Sequence, residues 1–550
     1  MRTWRFYTLL SILFILALIL MGRLIDLNLV QHSFLLKQSQ ARILRTVSIP
    51  AYRGMIVDRN GQPLAVSTPV DSVWINPQEF SPSTHELFNL AKLLNLSADN
   101  IAAKEKENTH REFVYLERDL PPETANRIRA LNISGVYFQR EYKRYYPEGE
   151  VNAHVIGFTN IDDQGQEGLE LAYNSWLSGV PGKKRILKDR LGNTVANVAI
   201  LKEPSPGHDL QISIDQRIQY IAYYDLKQAI EKYHAQAGSI VVLNPNTGEI
   251  LAMVNQPSYN PNNRPNKDTG QFRNRAVTDI YEPGSTIKPF NMTLALESGK
   301  YTPDTKIDTN PGWMMIDGHE IRDDGLDYGV ITLTQLLQKS SNVGAAKVML
   351  SLSPQNYFQL LHRVGFSELT GSNFPGEASG SLVDHLKWRK ITVATLAFGY
   401  GISVTPLQLA RAYAVFADDG IERSVTFLKI NDNAPEGTQV IPKKTADTVL
   451  SMMESVVQQA GTGYLARVPG YRVAGKTGTA YIAGSHGYDG HHYMSSFVGI
   501  APVSHPQLVV AVVIRNPQGK HFGGEVAAPV FAQVMSTALR LLDVPPDAKT

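Results

Sequence analysis

The stretch that decides the fold is YEPGSTIKPF, residues 281–290. Pro283 and Gly284 indicate a turn, and the apolar residues that follow predict a buried helix. A serine at the start of such a helix, Ser285, has its hydroxyl near the positive end of the helix dipole. Lys288 follows one turn later on the same helix face, which predicts an amine beside this hydroxyl. A lysine desolvated there can lose its proton near neutral pH and act as the base for Ser285.

Two later motifs strengthen this interpretation. Ser340-Ser341-Asn342 supplies a hydroxyl and an amide, and Lys476-Thr477-Gly478-Thr479 supplies an amine and two hydroxyls. Alone, a Ser-x-x-Lys pair is better explained by an N-cap serine beside a solvated lysine. However, Ser285 is the only serine with a lysine three residues later, and residues 476–478 form the only Lys-Ser/Thr-Gly. In this order, the three motifs resemble the set found in penicillin-binding proteins and serine β-lactamases.

Length and composition narrow the classes of function. At 550 residues the chain is long enough for two or three domains. Its 53 basic and 51 acidic residues nearly cancel, and no run of Lys and Arg interleaves with aromatic residues, so we expect no nucleic-acid partner. The chain has no cysteine, which excludes a thiol nucleophile and a disulfide framework.

An apolar segment lies near the N-terminus. Residues 6–22 carry no charge between Arg5 and Arg23, and as a helix they would span roughly 26 Å. Trp4 suits the membrane interface, and apolar residues beyond Arg23 can lengthen the span. A cleaved signal peptide is the alternative, but no small-residue cleavage site follows closely. We therefore expect an uncleaved anchor and juxtamembrane helix in residues 1–45, with the basic N-terminus in the cytoplasm and the remaining chain in the periplasm.

Hydrophobic patterning predicts strands on both sides of a helical block. Residues 83–131 show helical periodicity, and residues 310–326 form a looser, turn-rich stretch. Thr405 caps a further helix. The predicted strands are 238–244, 249–255, 473–480, 495–501 and 507–515, and the predicted flanking helices are 215–235 and 525–542. This arrangement predicts one mixed sheet covered by helices.

A possible metal site follows the third motif. His486, Asp489, His491 and His492 are potential ligands, but they lie in a glycine-rich loop just after Thr479. A polar loop near the catalytic cleft explains them better than a metal centre does. We therefore expect neither a metal nor a cofactor.

Taken together, these residues resemble the class B penicillin-binding proteins, and more narrowly the division-specific peptidoglycan D,D-transpeptidases of the FtsI type. The likeness includes the apolar anchor and most of the chain after it. The segments that carry it are 53–61, 281–289, 338–344, 398–412, 475–480 and 519–531.

The resemblance implies a multidomain α+β protein. Residues 1–45 would hold a cytoplasmic tip, the transmembrane helix and a juxtamembrane helix. Residues 46–205 would form an elongated, non-catalytic pedestal similar to penicillin-binding protein dimerisation domains. Residues 206–550 would form a β-lactamase-like transpeptidase domain, in which helices cover a central antiparallel sheet.

The resemblance also implies serine-type D-Ala-D-Ala transpeptidase chemistry. Ser285 would attack a stem peptide, release the terminal D-alanine and pass the acyl group to an amine of a neighbouring stem. Lys288 would take the proton from Ser285, while Ser340 and Asn342 relay a proton and hold the peptide amide. Backbone N–H groups of Ser285 and Thr479 would form the oxyanion hole. The implied substrate-binding residues are Lys476, Thr477, Gly478 and Thr479, with His521 and Phe522 as a further cleft wall.

The implied partners are peptidoglycan stem peptides, β-lactam antibiotics, the membrane, a glycosyltransferase of the FtsW type and other division proteins. Two alternatives remain. A β-lactamase or D,D-carboxypeptidase would pass the acyl group to water, but no Glu-x-x-Asn lies between Asn342 and Lys476. A slow penicillin-binding scaffold or sensor need not retain Lys288, Ser340 and Lys476 together, yet all three are present.

Overall fold

The structure of the protein is a computed structural model that describes residues 3–35, 37, 44–188, 194–264, 269–324, 327–431, 434–484 and 487–548. The chain divides into two compact units, each built from separate chain segments. The smaller unit comprises residues 1–54, 67–143 and 178–208, and the larger unit comprises residues 55–66, 144–177 and 209–550. Parts of the predicted pedestal segment thus belong to the larger unit, and the domain bounds 46–205 and 206–550 stay a prediction.

The smaller unit begins with an apolar helix. The α-helix Thr3–Ile25 continues as the π-helix Asp26–Val30, and the combined span has a mean hydropathy of 2.5 in its most apolar window. Among the described residues, it is the one helix long and apolar enough to cross a membrane. The predicted helix through residue 45 is wrong at its end, because Leu44 begins the strand Leu44–Ile49.

Two sheets complete the smaller unit. In the first, Leu44–Ile49, Gly182–Lys188 and Thr194–Lys202 pair antiparallel in that order. In the second, the part of Pro63–Ile75 from Asp71 onward pairs with Val114–Leu120. The helices that pack near this sheet are Thr84–Leu94, Ala98–Glu107 and Pro122–Arg129, and a further strand runs over Val136–Tyr145.

Helical periodicity over residues 83–131 predicted the three helices but missed the strand Val114–Leu120 between them. Ser83 caps the first helix through a reciprocal capping box with Glu86. In the missed strand, Leu116 and Leu120 are buried in the same apolar cluster as Val73 of the neighbouring strand. Tertiary pairing therefore overrides the local helical pattern here.

The larger unit contains a five-stranded sheet that positions the motifs. Its strands are β1 Ala237–Leu243, β2 Ile250–Gln256, β3 Ala474–Gly484, β4 Gly487–Ala501 and β5 Leu508–Arg515. Their order is β2-β1-β5-β4-β3, and every neighbouring pair is antiparallel. The predicted strands are confirmed, but the sheet is antiparallel throughout, as the resemblance implied, and not mixed.

Both faces of this sheet are covered. In β5, Val509, Ala511 and Val513 belong to one apolar cluster, whereas the alternate residues Val510, Val512 and Ile514 belong to another. An uninterrupted apolar strand is expected where both faces are buried, and each fully buried valine contributes about 1.5–3 kcal/mol. One cluster contains the helices Gln216–Lys232 and Ala528–Leu541, and the other contains Lys288–Glu297 and Pro406–Ala417.

The remaining elements of the larger unit are short. Thr405 caps the helix Pro406–Ala417 as predicted, because its hydroxyl accepts a hydrogen bond from the Gln408 N–H at 3.1 Å. The segment 310–326 includes a small hairpin, Trp313–Ile316 with His319–Arg322, that the turn-rich prediction missed. The other helices are Ala153–Ile156, Gly168–Ala172, Asn174–Leu177, Arg275–Thr278, Leu333–Lys339, Asn342–Leu350, Pro354–Arg363, Lys390–Leu396, Lys443–Glu454 and Gly523–Val526. The other strands are Ile56–Val57, Leu210–Gln211, Lys306–Asp308, Val330–Thr332, Ser381–Leu382, Ile402–Ser403, Ile421–Glu422 and Thr438–Gln439.

Candidate active site

Ser285 lies on a tight turn that leads into the buried helix α1, Lys288–Glu297. The turn is a short 3-10 helix, Gly284–Ile287, and Gly284 adopts a positive φ of 56°. A side chain at Gly284 would also crowd Ala480, whose Cβ would lie 3.2 Å from the added carbon. Glycine therefore suits this position both by conformation and by space. The predicted helix is confirmed, with Ser285 just before it.

Lys288 is fully buried, and its ammonium group faces the Ser-x-Asn motif. Its Nζ donates to the Ser340 carbonyl at 2.5 Å, to Asn342 Oδ1 at 2.8 Å and to Ser340 Oγ at 3.2 Å. Burial lowers the pKa of Lys288 to about 7, although the carboxylates of Asp323 and Asp324 raise it in part. A group with this pKa is a proton acceptor at neutral pH.

Ser340 connects the two lysines of the site. It ends the helix α2, Leu333–Lys339, in the left-handed conformation with φ of 63°. Its Oγ accepts hydrogen bonds from Lys288 Nζ at 3.2 Å and from Lys476 Nζ at 2.9 Å. The next residue, Ser341, caps the following helix α3, Asn342–Leu350, so the motif lies between two helices.

Asp323 holds this motif in place and was not anticipated from the sequence. Its buried carboxylate accepts hydrogen bonds from Ser341 Oγ at 2.8 Å and from the backbone N–H groups of Asn342 at 2.5 Å and Val343 at 3.0 Å. Carboxylates stabilise helix N-termini through such bonds. No local pattern separates Asp323 from its neighbour Asp324, so only the folded chain reveals this role.

The Lys-Thr-Gly motif lies on the edge strand β3. Lys476 is fully buried, and its Nζ also donates to the Thr477 carbonyl at 3.2 Å. Burial lowers the pKa of Lys476 well below its usual range, and the nearby charge of Lys288 lowers it further. Gly478 leaves room for its neighbours, since an added Cβ would lie 2.3 Å from Ser496 Oγ. Thr479 Oγ accepts from the Gly523 N–H at 3.0 Å.

A cavity of about 540 Å³ brings the predicted residues together. Ser285, Ser340, Asn342, Thr477 and Thr479 line it, and the two buried lysines lie behind this surface. Gly478 lies in β3 between two lining residues. The lining also includes His521 and Phe522, the predicted cleft wall.

In the predicted wall, His521 stacks on Tyr493 with ring centroids 4.1 Å apart, and Phe522 is 46% exposed. The other lining residues were not predicted from the sequence as site residues. The unanticipated lining residues are Asp324, Phe398, Tyr400, Thr462, Tyr464, Leu465, Ala480, Tyr481, Tyr493, Gly523, Gly524 and Glu525. They come from the strands β3 and β4 and from several segments that are far apart in the chain.

The prediction that the potential metal ligands lie in a loop is wrong for Asp489, His491 and His492, because these residues lie on β4. His486 is outside the described residues. Within the part of the chain that the structure describes, no three His, Cys, Asp or Glu side chains are grouped as metal ligands.

Comparisons with known proteins agree with this geometry. The family model of the penicillin binding protein transpeptidase domain matches residues 238–536, and that of the penicillin-binding protein dimerisation domain matches residues 48–212. The chain therefore belongs to the penicillin-binding proteins, in the group that combines these two domains. The resemblance predicted from the motifs is confirmed.

Within the penicillin-binding proteins, the chain is similar to particular peptidoglycan D,D-transpeptidases. The chain is 44% identical to a probable peptidoglycan D,D-transpeptidase, PbpC, of Pseudomonas aeruginosa, over 99% of this chain and 96% of the relative. It is 40% identical to the peptidoglycan D,D-transpeptidase FtsI of Escherichia coli K12, over 100% of this chain and 93% of the relative. These relatives identify it as similar to division-type transpeptidases.

Solved structures show the same fold. The aztreonam complex of penicillin-binding protein 3 from Mycobacterium tuberculosis is 27% identical and matches with a TM-score of 0.71, covering 91% of this chain and 98% of that one. The transpeptidase domain of penicillin-binding protein 3 from Burkholderia pseudomallei is 44% identical and matches with a TM-score of 0.57, covering 62% and 98%.

Proposed function

We propose that this protein is a peptidoglycan D,D-transpeptidase that cross-links stem peptides at the division septum through an acyl-enzyme on Ser285. The observation that carries the proposal is the environment of Lys288. This lysine follows Ser285 by one turn, is fully buried against Ser340 and Asn342, and has a pKa lowered to about 7. The similarity to peptidoglycan D,D-transpeptidases over the whole chain supports the same reaction.

In the first half-reaction, neutral Lys288 accepts the proton of Ser285 Oγ, which attacks the carbonyl of the penultimate D-alanine. The new C–O bond forms, the peptide C–N bond breaks, and the proton passes to the departing amine of the terminal D-alanine. Ser340 Oγ is suited to relay this proton because it contacts Nζ of both lysines. The backbone N–H groups of Ser285 and Thr479 stabilise the oxyanion.

In the second half-reaction, an amine of a neighbouring stem attacks the acyl-enzyme. The C–N bond forms, the ester C–O bond breaks, and the proton from the amine returns to Ser285 Oγ through Lys288. Asn342 holds the donor peptide amide. The donor carboxylate binds along the edge of β3, next to the buried Lys476 and the hydroxyls of Thr477 and Thr479, with His521 and Phe522 as a neighbouring wall.

In this proposal, the N-terminal part of the chain determines where the protein lies in the cell. The apolar helix Thr3–Ile25 anchors the protein in the inner membrane, with the N-terminus in the cytoplasm and the chain that follows the helix in the periplasm. Residues 46–205 act as a non-catalytic pedestal. In this proposal, a membrane glycosyltransferase of the FtsW type and other division proteins supply and position its substrate.

Incubation with a penicillin followed by mass spectrometry and peptide mapping tests the proposal. We expect a covalent adduct on Ser285, because the β-lactam amide takes the place of the scissile peptide bond. When the ring opens, the leaving amine stays attached to the acyl group. Ser285→Ala should abolish the adduct, whereas Ser298→Ala, just beyond the same helix, should not. An adduct on another residue would contradict the proposal. Release of the adduct within seconds would favour a β-lactamase, and slow acylation without transpeptidation would favour a sensor.

A further inference from the structure

The cavity wall contains a carboxylate that the reaction outlined above does not use. Asp324 lines the cavity together with Ser285, Ser340 and Asn342, and its side chain is exposed. Among the described residues, no hydrogen bond or ion pair engages this carboxylate. Its immediate neighbour Asp323 is the opposite case, since that side chain is buried and bonded to the start of α3.

The position of Asp324 is set by its neighbour. The Asp323 N–H donates to the Gly312 carbonyl at 2.9 Å, and the Asp323 carboxylate binds Ser341 and Asn342. The backbone just before Asp324 is therefore tied to the wall that carries the Ser-x-Asn motif. Consistent with this location, the negative charge of Asp324 raises the pKa of both Lys288 and Lys476.

The second lining carboxylate is already neutralised. Glu525 forms an ion pair with Lys520 at 2.8 Å, so its charge is balanced by a residue of its own loop. The lining includes no lysine or arginine, because Lys288 and Lys476 are buried behind the hydroxyls. Within the described chain, Asp324 is thus the carboxylate of the cavity wall without a partner, and it faces the space that substrates enter.

We propose that Asp324 binds the ammonium group of the acceptor stem peptide and positions it beside Ser340 for attack on the acyl-enzyme. This inference rests on the proposed function and names the residue that selects its second substrate. An aliphatic side-chain amine has an ordinary pKa of about 10.4, so the acceptor arrives as a cation. An unpaired carboxylate attracts this cation, and the same charge repels the carboxylate of the donor.

The arrangement separates the two substrates by charge. The donor carboxylate belongs at the β3 edge, near Lys476, whereas the acceptor ammonium belongs at Asp324, on the wall of the Ser-x-Asn motif. The bound ammonium must lose one proton to solvent before it attacks. The resulting amine then forms the C–N bond as the ester C–O bond breaks, and its second proton reaches Ser285 Oγ through Ser340 Oγ and Lys288, whose Nζ lies 3.2 Å from that hydroxyl.

The test measures the two half-reactions separately on the full chain in detergent. Acylation is followed with a fluorescent penicillin, and acyl transfer is followed from a thiolester of an N-acyl-D-alanine. Two acceptors are compared: N-acetyl-lysine amide, whose only charge is its ammonium, and hydroxylamine, which is uncharged. The assays are run about 1.5 pH units above the Lys288 pKa of about 7, where the acceptor lysine is still charged and a shift in the Lys288 pKa has little effect.

We expect Asp324→Asn to lower transfer to N-acetyl-lysine amide about tenfold, mainly through a higher KM, the equivalent of about 1.4 kcal/mol. Penicillin acylation and transfer to hydroxylamine should stay within about twofold of wild type, and Asp324→Glu should restore part of the loss. In wild type, added salt should raise the KM for the charged acceptor, and this dependence should weaken in the variant. Asp327→Asn, which removes an exposed carboxylate three residues further along the chain, serves as the matched control.

The inference would be overturned if Asp324→Asn transferred the acyl group to N-acetyl-lysine amide, and to hydroxylamine, as fast as wild type does. An equal loss in acylation and in transfer to both acceptors would also overturn it, because Asp324 would then act on the lysines or on the fold. A wild-type protein that is not acylated on Ser285 would instead overturn the proposed function, and this inference with it.

Discussion

Two places in the larger unit contain ionisable side chains that are buried away from water. The two places differ in how the buried charge is compensated. Arg144 and Glu170 are 1% and 0% exposed and form an ion pair at 2.6 Å. Lys288 and Lys476 are also fully buried, but they carry charges of the same sign and share Ser340 Oγ between them. The first pair balances its charges internally, whereas no carboxylate of the described residues forms a hydrogen bond or ion pair with either lysine of the second pair.

The difference indicates which buried charges are structural and which are reactive. A buried ion pair keeps both partners charged, because each compensates the other. Two buried amines favour loss of a proton, because desolvation and mutual repulsion both disfavour the charged form. Burial lowers the pKa of both lysines, and the charge of Lys288 lowers the pKa of Lys476 further. The Asp324 carboxylate raises both pKa values in part, and Asp323 also raises that of Lys288. Perturbed amines in a cleft of this kind are typical of catalytic sites.

The largest expected effect comes from Lys288→Arg. Arginine keeps the positive charge but cannot lose its proton in a protein, so it cannot act as the base. We expect the rate constant for penicillin acylation to fall at least about 1,000-fold. Lys288→Met tests the same loss without the larger guanidinium group, and Lys443→Arg on the exposed surface is the control. An acylation rate within threefold of wild type would remove Lys288 from the mechanism.

Glu170→Gln should affect stability and not chemistry. It leaves Arg144 buried without its counter-charge, which costs about 3–5 kcal/mol in the free energy of unfolding. Urea unfolding measures the loss, while the acylation rate of the folded protein should be unchanged. The double variant Arg144→Met/Glu170→Leu should recover most of the stability, because the unpaired charge is gone. A double variant as unstable as Glu170→Gln would show that packing, and not charge, dominates this site.

Asp323→Asn should loosen the reactive site while keeping both of its buried lysines. The carboxylate holds the start of α3 through three hydrogen bonds, and charged hydrogen bonds contribute about 1.5–3 kcal/mol each. We expect penicillin acylation to slow roughly 10- to 100-fold as Asn342 and Ser340 lose their positions. Stopped-flow measurement of the acylation rate provides the readout. The idea fails if acylation is unchanged while the fold is intact.

The pH dependence of acylation follows from the lowered pKa of Lys288. The reaction needs the neutral amine, whose fraction falls tenfold for each pH unit below a pKa of about 7. The acylation rate should therefore rise with pH and level off above about pH 7. Because Asp324 raises this pKa, Asp324→Asn should move the midpoint to lower pH. A profile that stays flat from pH 5 to 9 would contradict the role of Lys288 as the base.

The smallest expected effect comes from removal of the anchor. Both buried-charge sites lie in the larger unit, and the apolar helix lies in the smaller one. A chain that begins at Leu44 keeps the strand Leu44–Ile49 and should be soluble. We expect its acylation rate to lie within twofold of the full chain, while it fails to restore division in a depleted strain. A folded but unreactive protein would contradict the independence of the catalytic unit, and restored division would contradict the anchoring role.

Sequence alone determined the features that are encoded locally. The spacing of Ser285 and Lys288 places both within one turn, the Lys-Thr-Gly motif lies in a predicted strand, and unbroken apolar runs identify the central strands. Each of these depends on residues a few positions apart, where helix and strand periods control geometry. The order of the three motifs indicated penicillin-binding proteins or serine β-lactamases, and the resemblance of segments over most of the chain narrowed this to the class B penicillin-binding proteins.

Tertiary structure decided which distant groups share the site and what their chemistry is. Lys288 was predicted beside Ser285, but its hydrogen bonds in the described chain go to Ser340 and Asn342, more than 50 residues away. Asp323, Asp324 and the aromatic lining residues come from loops and from the strands β3 and β4 with no common spacing, and the strand Val114–Leu120 forms where a neighbouring strand pairs with it. Burial, and therefore the lowered pKa of the lysines, is a property of everything packed around a residue, and no local pattern contains that information.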